Sequence, residues 1–537
     1  MKLEDAVRLA ILNIQKESIT DVDVFKRPFE IEYFSQEENY SKIFNEVKTR
    51  IKNALDKAEN NNIFESLKEL KLSPLKTLLI PKKNLFDFRK CSYTEILDEI
   101  IYLTLVLMIA NKIENQRIAK NKETIFSYRL KTSLSSIKIP TFLFDFKYSY
   151  TRFKSNISKK AQENNAKVII SCDISNFYDR LNLHRLENTL LSIPQNDIKV
   201  VKLLNEILLF WSNRDSYGLP VGSNASRILA EASLIDVDKY LMEKNIIFSR
   251  FVDDFRLFAK DAKEAHTWLS ILVERLNQEG LFLNTHKTTI ASINEIKQCF
   301  ANKNDVEIDK NELPVIIRGY SGIIPTKFRK LSTREIENLK DINVENFTNE
   351  KIMVDIINPE DLKKYIRALI AQENWGLLTK VSEILNRFPQ FIPYYLDCID
   401  KHRAVLDIDL LFKIEGEIID LSEDSSLLEY LRIYIFRFLA GNTNCTKHLL
   451  NVFLNLKRGE GIYLGRSILE NIGSNLDRNN VLEIKKGYQR ADATEKRIIL
   501  KIMKQKLNPK EFKAFYKNIS LIETDPWLSI IASDSMQ

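Results

Sequence analysis

A chain of 537 residues with 44% hydrophobic side chains and a mean hydropathy of −0.23 has room for two or three cores and is too apolar to be disordered. Only 13 glycines and 13 prolines punctuate it, which points to a helix-rich protein, and five cysteines without ligand spacing exclude a zinc site or a disulfide framework. The net charge of +7 suits an anionic partner, although a composition this rich in Lys, Asn and Ile reaches such an excess without any binding role.

Leu3, Val7, Ala10, Ile11 and Ile14 fall at helical spacing, so the chain opens on an amphipathic helix and not on a signal peptide. Phe25 to Tyr40 is aromatic without a clean period and reads as a loop or short strand region, followed by helical patterns at about 41–70. Leu78-Leu79-Ile80 reads as a short strand running into a basic loop, where Lys82, Lys83, Arg89 and Lys90 either hold a triphosphate or form a solvated charged loop. Tyr93 to Asn115 is a long apolar helix whose longest apolar run, Ile100 to Ala110 broken by Thr104, is too short to span a bilayer; no membrane partner is expected, and a reducing cytoplasm fits the scattered thiols. Aromatic and basic residues then interleave from Phe126-Ser127-Tyr128-Arg129-Leu130 to Lys154. That is the pattern of a single-stranded nucleic acid path, and equally of an aromatic sub-domain core.

Ala166 to Asp173 is a buried-looking strand that ends on a carboxylate. Gly218-Leu219-Pro220-Val221-Gly222-Ser223-Asn224-Ala225-Ser226 is a small-residue loop feeding a helix, where backbone can approach a ligand closely. Ser249 to Phe258 reads as a tight hairpin with Asp253 and Asp254 at its turn. Two carboxylates between apolar strands are costly to desolvate unless a cation offsets them; exposure at the turn is the plainer account. The order strand-Asp173, Gly-Leu-Pro-x-Gly, aromatic-x-Asp253-Asp254, then Leu283-Asn284-Thr285-His286-Lys287, resembles the palm of a reverse transcriptase over roughly residues 75–330.

That resemblance implies a right-hand polymerase palm and fingers of α+β class. Its two-metal nucleotidyl transfer would use deoxynucleotides and two Mg²⁺ ions, or Mn²⁺. Asp173, Asp253, Asp254 and Lys287 would be catalytic, and Asp173, Ile174, Asp253 and Asp254 would hold metal. Tyr178, five residues after Asp173, would exclude a ribose 2′-hydroxyl; Lys82, Lys83, Arg89, Gly222 and Ser226 would contact the nucleotide. Template-copying relatives carry Gln in the Pro-Gln-Gly loop, whereas Val221 offers neither donor nor acceptor. Val221, Ser127-Tyr128-Arg129-Leu130 and Leu229-Ala230-Glu231 together resemble the bacterial abortive-infection and defence-associated reverse transcriptases. Some of those make single-stranded DNA without a template, primed by a tyrosine of the protein, and others copy a noncoding RNA. Tyr40 and Tyr33, in the irregular aromatic stretch, are priming candidates.

From about residue 345 no catalytic pattern appears. Asn358-Pro359-Glu360-Asp361 is a helix start, Leu377 to Phe388 is a second helix, and amphipathic helices follow at about 391–402, 407–420, 425–440, 445–456, 461–473, 479–488 and 493–505. The expected organisation is fingers and palm over 1–330 with an N-terminal extension at about 1–70, a linker at 331–350 and an all-α domain at 351–537. Paired helices suggest a HEAT-like solenoid, which in the family supports homo-oligomers and nucleic acid binding, or else an irregular bundle. An antiviral DNA polymerase is the leading expectation; a template-directed enzyme copying a bound noncoding RNA and a catalytically silent helical scaffold are the alternatives.

Overall fold

The computed structural model describes residues 1–59, 63–82, 87–293, 326–354, 357–424, 426–457, 460–473 and 476–533. Two compact units divide them. The first takes Met1–Val22, Arg27–Lys76 and the chain from Ser92 through the palm strands; the second takes Asp23–Lys26, Thr77–Cys91 and the C-terminal helices.

In the first unit, α1 (Leu3–Glu17) buries the stripe its spacing predicts, including Val7, Ala10, Ile11 and Ile14. The aromatic stretch after it folds as a 3-10 segment, Phe29–Ser35, and not as a strand: Tyr33 and Phe34 turn inward on consecutive positions, which a period of two forbids. Helices α2 (Glu37–Glu59) and α3 (Ile63–Leu70) follow, then strands β1 (Lys76–Pro81) and β2 (Phe88–Tyr93), which pair as a two-stranded sheet lying mostly in the second unit. Helix α4 (Ile96–Gln116) is apolar on all sides and buried from Ile96 to Leu107, with Asp98 and Glu99 carried inside, and turns polar and partly exposed after Ala110. Helix α5 (Tyr150–Glu163), capped by Ser149, begins inside the stretch read as an aromatic and basic path.

Val168-Ile169-Ile170 starts β3 (Val168–Asp173), as β-branched residues favour. Helices α6 (Phe177–Arg180), α7 (Leu183–Ser192), α8 (Ile198–Trp211), α9 (Asn224–Ser233) and α10 (Ile235–Glu243) lead to β4 (Phe248–Phe251) and β5 (Asp254–Ala259). Helix α11 (Ala262–Gln278) and β6 (Thr289–Ser292) complete the unit. The four strands form one antiparallel sheet in the order β4-β5-β3-β6. Ile169, Ile170, Cys172, Phe255, Leu257 and Phe258 are buried, and α11 packs against β3 and β5.

The second unit is helical after residue 331 among the described residues. The stretch 331–350, expected as a linker, folds into helices Thr333–Lys340 and Val344–Phe347. The first lies on Pro359–Ala371, where Arg367 meets Glu335 at 2.6 Å. Asn358 caps Pro359–Ala371 as expected, but Leu377 to Phe388 breaks into two short helices, Trp375–Thr379 and Val381–Leu385. Beyond them Ile392–His402, Glu429–Leu439, Leu464–Ile472, Ala493–Lys506 and Pro526–Ser533 each pack on the next in that series, with the intervening helices paired against them. The segment Asp23–Lys26 is built into this unit: Phe25 sets its ring edge-on to Tyr463 at 5.2 Å, and the Lys26 amide donates to the Tyr463 hydroxyl at 3.1 Å.

Candidate active site

The register of β3 on β5 places Asp173, the last residue of its strand, opposite Asp254, the first residue of the next. Phe251 pairs with Asp254 across the β4–β5 turn, which leaves Val252 and Asp253 as the two turn residues. The Ile174 amide donates to the Asp253 carbonyl at 3.1 Å and ties the turn to the end of β3. Val252 has a φ of +56°, a left-handed conformation that a β-branched residue takes only under constraint. The constraint is Arg250, fully buried, which donates from Nη1 to the Val252 carbonyl at 2.8 Å. The same guanidinium bonds Asp238 (2.9 and 2.5 Å) and Glu231 (3.0 and 3.3 Å). Burial alone would favour a neutral Arg250, but Asp238 and Glu231 outweigh it and hold the charge.

Burial pushes the Asp253 carboxyl up to about 7, and the Asp173 charge adds to the rise. Burial raises Asp254 as well, opposed by Arg256, whose guanidinium pairs with it. Asp173 accepts from Lys287 Nζ at 2.9 Å. Lys287 is delivered by a 3-10 turn, Thr285–Lys287, which Asn284 caps with its side chain while its own amide donates to the Asp173 carbonyl at 2.7 Å. Two of the three carboxylates are thus turned onto cations of the chain, and among the described residues no three acidic, His or Cys side chains converge as a ready cage. The donors still suit a hard divalent cation: all are carboxylate oxygens, and burial beside two other acids makes Asp253 a weaker acid whose charge a cation would offset.

Tyr178 stands half-buried on α6, and burial raises its hydroxyl well above the ordinary value; Tyr128, Arg227, Glu231 and Asp253 all act on it. Its carbonyl accepts from the Leu219 amide at 3.0 Å, so the glycine loop is fastened to the tyrosine. Arg227 lies over the Tyr128 ring at 5.2 Å, and Tyr128 sits 6.2 Å from Phe251. Gly222, with a φ of +117°, needs glycine, but the group that crowds it is Thr20 of the same chain. Ser226 departs from its expected role: it is fully buried, its hydroxyl 3.1 Å from that of Tyr102, because the inward face of α9 carries it into the core. Lys82 and Arg89 stand on the β1–β2 hairpin of the second unit, where Lys82 pairs with Asp87 at 3.0 Å and Arg89 is exposed; Lys83 lies outside the described residues. Tyr33 is buried, and Tyr40 is half-buried with its ring stacked on Phe44 at 5.9 Å.

Residues 80–338, a little under half of the chain, match the family model described as reverse transcriptase (RNA-dependent DNA polymerase). The chain carries a reverse transcriptase domain. Domains of that family are nucleotidyltransferases, RNA-directed DNA polymerases. No curated protein matches the chain. Among solved structures, telomerase from Candida albicans in complex with a TWJ fragment of telomeric RNA aligns over 68% of this chain and 66% of its own, at 13% identity and a TM-score of 0.30. Apo telomerase from Candida tropicalis aligns over 68% of each chain at 14% identity and a TM-score of 0.31. The chain thus spans just under two thirds of the first of these telomerases. No described helix of the reverse transcriptase domain or of the C-terminal unit is long and apolar enough to cross a membrane.

Sequence reasoning missed four residues at this site. Arg256 had a signal in the period of two, since it follows Asp254 on one face of β5. Tyr150, whose hydroxyl feels Asp254, Asp173 and Asp253, was hidden in a run of aromatics. Arg227 and Arg250 carry no local signal, since nothing in the sequence predicts that an arginine in a strand will be buried.

Proposed function

We propose that this protein is a bacterial, cytoplasmic antiviral DNA polymerase that joins deoxynucleotides by two-metal nucleotidyl transfer, without an external template and primed by one of its own tyrosines. The observation that carries the polymerase reading is the register pair Asp173–Asp254 with Asp253 on the constrained turn between them. Asp173, Asp253, Asp254 and the Ile174 backbone would hold Mg²⁺, which when bound would activate the attacking hydroxyl and stabilise the leaving pyrophosphate. Lys287, 2.9 Å from Asp173, would release that acid to metal and turn its ammonium toward pyrophosphate. Tyr178, whose carbonyl fastens the Gly218–Gly222 loop, would meet a ribose 2′-hydroxyl, and the Gly222 backbone the rest of the nucleotide.

Val221 supports template independence, because its side chain can bond neither a base nor a strand. The antiviral role rests on the resemblance of Ser127–Leu130, Val221 and Leu229–Glu231 to the defence-associated enzymes. The C-terminal helices, each packed on the next of its series, suit a HEAT-like scaffold for a homo-oligomer that also handles the single-stranded product. The test is incorporation of labelled deoxynucleotides by the purified protein with Mg²⁺ and no added nucleic acid, beside plaque counts on cells expressing it. Asp173→Asn and Asp253→Asn should each keep the fold and lower incorporation by about a thousandfold or more, as loss of a metal ligand worth several kcal/mol requires. Near-normal incorporation by either variant removes the assignment, and unchanged plaque counts remove the antiviral role.

A further inference from the structure

The glycine loop is already occupied. Beyond α1 the chain turns at Ile19 and lays Thr20, Asp21 and Val22 against Gly222. A Cβ built on Gly222 would collide with Thr20 Oγ1 and would stand 3.2 Å from Val22 Cγ2 and 3.3 Å from Thr20 Cβ. The Thr20 hydroxyl accepts from the Val22 amide at 3.3 Å and keeps the segment folded over the loop. Asp21 pairs with Arg227, the cation lying on Tyr128 and acting on Tyr178. Upstream, Asn224 at the start of α9 donates to Asn13 and to Glu17, each at 3.0 Å, and accepts from Arg227 at 2.7 Å. The contact is therefore made at three successive points along the first unit, and each lands on the Gly222–Arg227 stretch.

That stretch borders the nucleotide seat. Leu219 is bonded to Tyr178, and the Asp253 charge reaches both Tyr178 and Tyr128. A base that pairs with an incoming nucleotide must lie flat beside that seat, and the open face of a glycine is the place where a flat ring can approach a backbone. Here the Thr20 hydroxyl and a Val22 methyl fill that face, and a carboxylate meets the arginine that a strand's phosphate would otherwise reach. We propose that Thr20-Asp21-Val22 is a built-in occupant of the template side of the site, excluding a pairing strand and leaving room for a single growing strand. The proposal rests on the reading of template-independent synthesis and gives it a structural cause.

The experiment uses the full-length protein and a DNA hairpin whose 3′ end is recessed behind an overhang of four identical bases, in four versions. The parent should bind all four hairpins weakly and add nucleotides without regard to the overhang. Thr20→Gly combined with Asp21→Gly should bind them about tenfold more tightly and add the complementary nucleotide preferentially. Thr20→Ser, which keeps the hydroxyl over Gly222 and the Asp21–Arg227 pair, should behave as the parent. Should the glycine variant melt early, Asp21→Lys, which turns the Arg227 pair into a repulsion, carries the same expectation. An indifferent parent whose opened variant has unchanged affinity and unchanged nucleotide choice overturns the occupant and leaves template-independent synthesis standing. A parent that copies the overhang overturns both.

Discussion

Asp173, Asp253 and Asp254 show how much of a site a few residues can announce. Their spacing and order were legible because adjacent carboxylates between apolar strands are costly unless a cation offsets them, and the register of β3 on β5 does bring Asp173 opposite Asp254. Their neutralisation was not legible. Arg256 and Lys287 come to them from one strand and from a separate 3-10 turn, and only the fold decides which cation meets which acid. Tyr178 belongs at this scale too. Its position five residues after Asp173 could be read, but not the bond from the Leu219 amide to its carbonyl, which ties its backbone to the loop. If its ring sets sugar choice, Tyr178→Ala should admit ribonucleotides, narrowing the preference for deoxynucleotides by roughly 10- to 100-fold, a range typical of one group in a pocket. Parallel incorporation assays with the two sugars measure it; unchanged discrimination places the gate elsewhere.

Elements hold these residues through buried charge, the feature hardest to read from a sequence. Arg250 belongs to β4 yet bonds the Val252 carbonyl of the turn together with Glu231 on α9 and Asp238 on α10. Glu231 in turn takes Arg117, the C-cap of α4, at 2.6 Å, and Arg117 donates to the Ser127 and Tyr128 carbonyls. Four elements thus share one ionic knot behind the turn. Arg250→Met should leave the buried Asp238 carboxylate without its cation and Glu231 with Arg117 alone, and cost about 3–5 kcal/mol, measured by denaturant unfolding. Adding Asp238→Asn should recover about 1 kcal/mol or more, because one orphaned charge is gone; simple additivity of the two changes would show that the knot is not a unit. Helix α4 carries a second such feature. Burial pushes Asp98 up to about 8 and Glu99 up to about 7, with Ser73 and Ser223 among their partners. Both folded values lie above those of an unfolded chain, so the native state holds protons the unfolded state releases. Stability is fully present below the ordinary carboxylate range and falls as pH rises toward about 8. Asp98→Asn and Glu99→Gln should flatten that fall, read as melting temperatures from pH 5 to 8.5; a parent profile rising over this window contradicts the assignment.

Across the whole molecule, periodicity was the dependable guide and irregular stretches were not. The helices from Ile392–His402 to Ala493–Lys506 lie within a few residues of their apolar stripes, and Asn358 caps where a polar residue before Pro-Glu-Asp should. Pro509–Ser520 and Pro526–Ser533 went unread, and so did α5, whose first turn looked like one more cluster of aromatics. That last omission bears on how synthesis starts. An initiating tyrosine must present its oxygen to the α-phosphate, lose its proton and expel pyrophosphate as the ester forms, so it has to stand within reach of the carboxylates. Tyr33 is buried, and Tyr40 is stacked on Phe44 along α2. Tyr150 is 36% exposed on the first turn of α5, with its ring 5.2 Å from Phe251 at the Asp-Asp turn and with Lys154 over its face at 4.6 Å. A first helical turn lacks part of its backbone hydrogen bonding and can open to let the product move away. Incubating the protein with one labelled deoxynucleotide, digesting it with protease and sequencing the peptides by mass spectrometry should therefore find the nucleotide on Tyr150. Tyr150→Phe should abolish the label, whereas Tyr40→Phe and Tyr33→Phe should keep it. A label on Tyr40 or Tyr33 returns initiation to the N-terminal helices, and product that migrates free of protein under denaturing conditions excludes a tyrosine primer altogether and leaves an RNA primer as the source of the first hydroxyl.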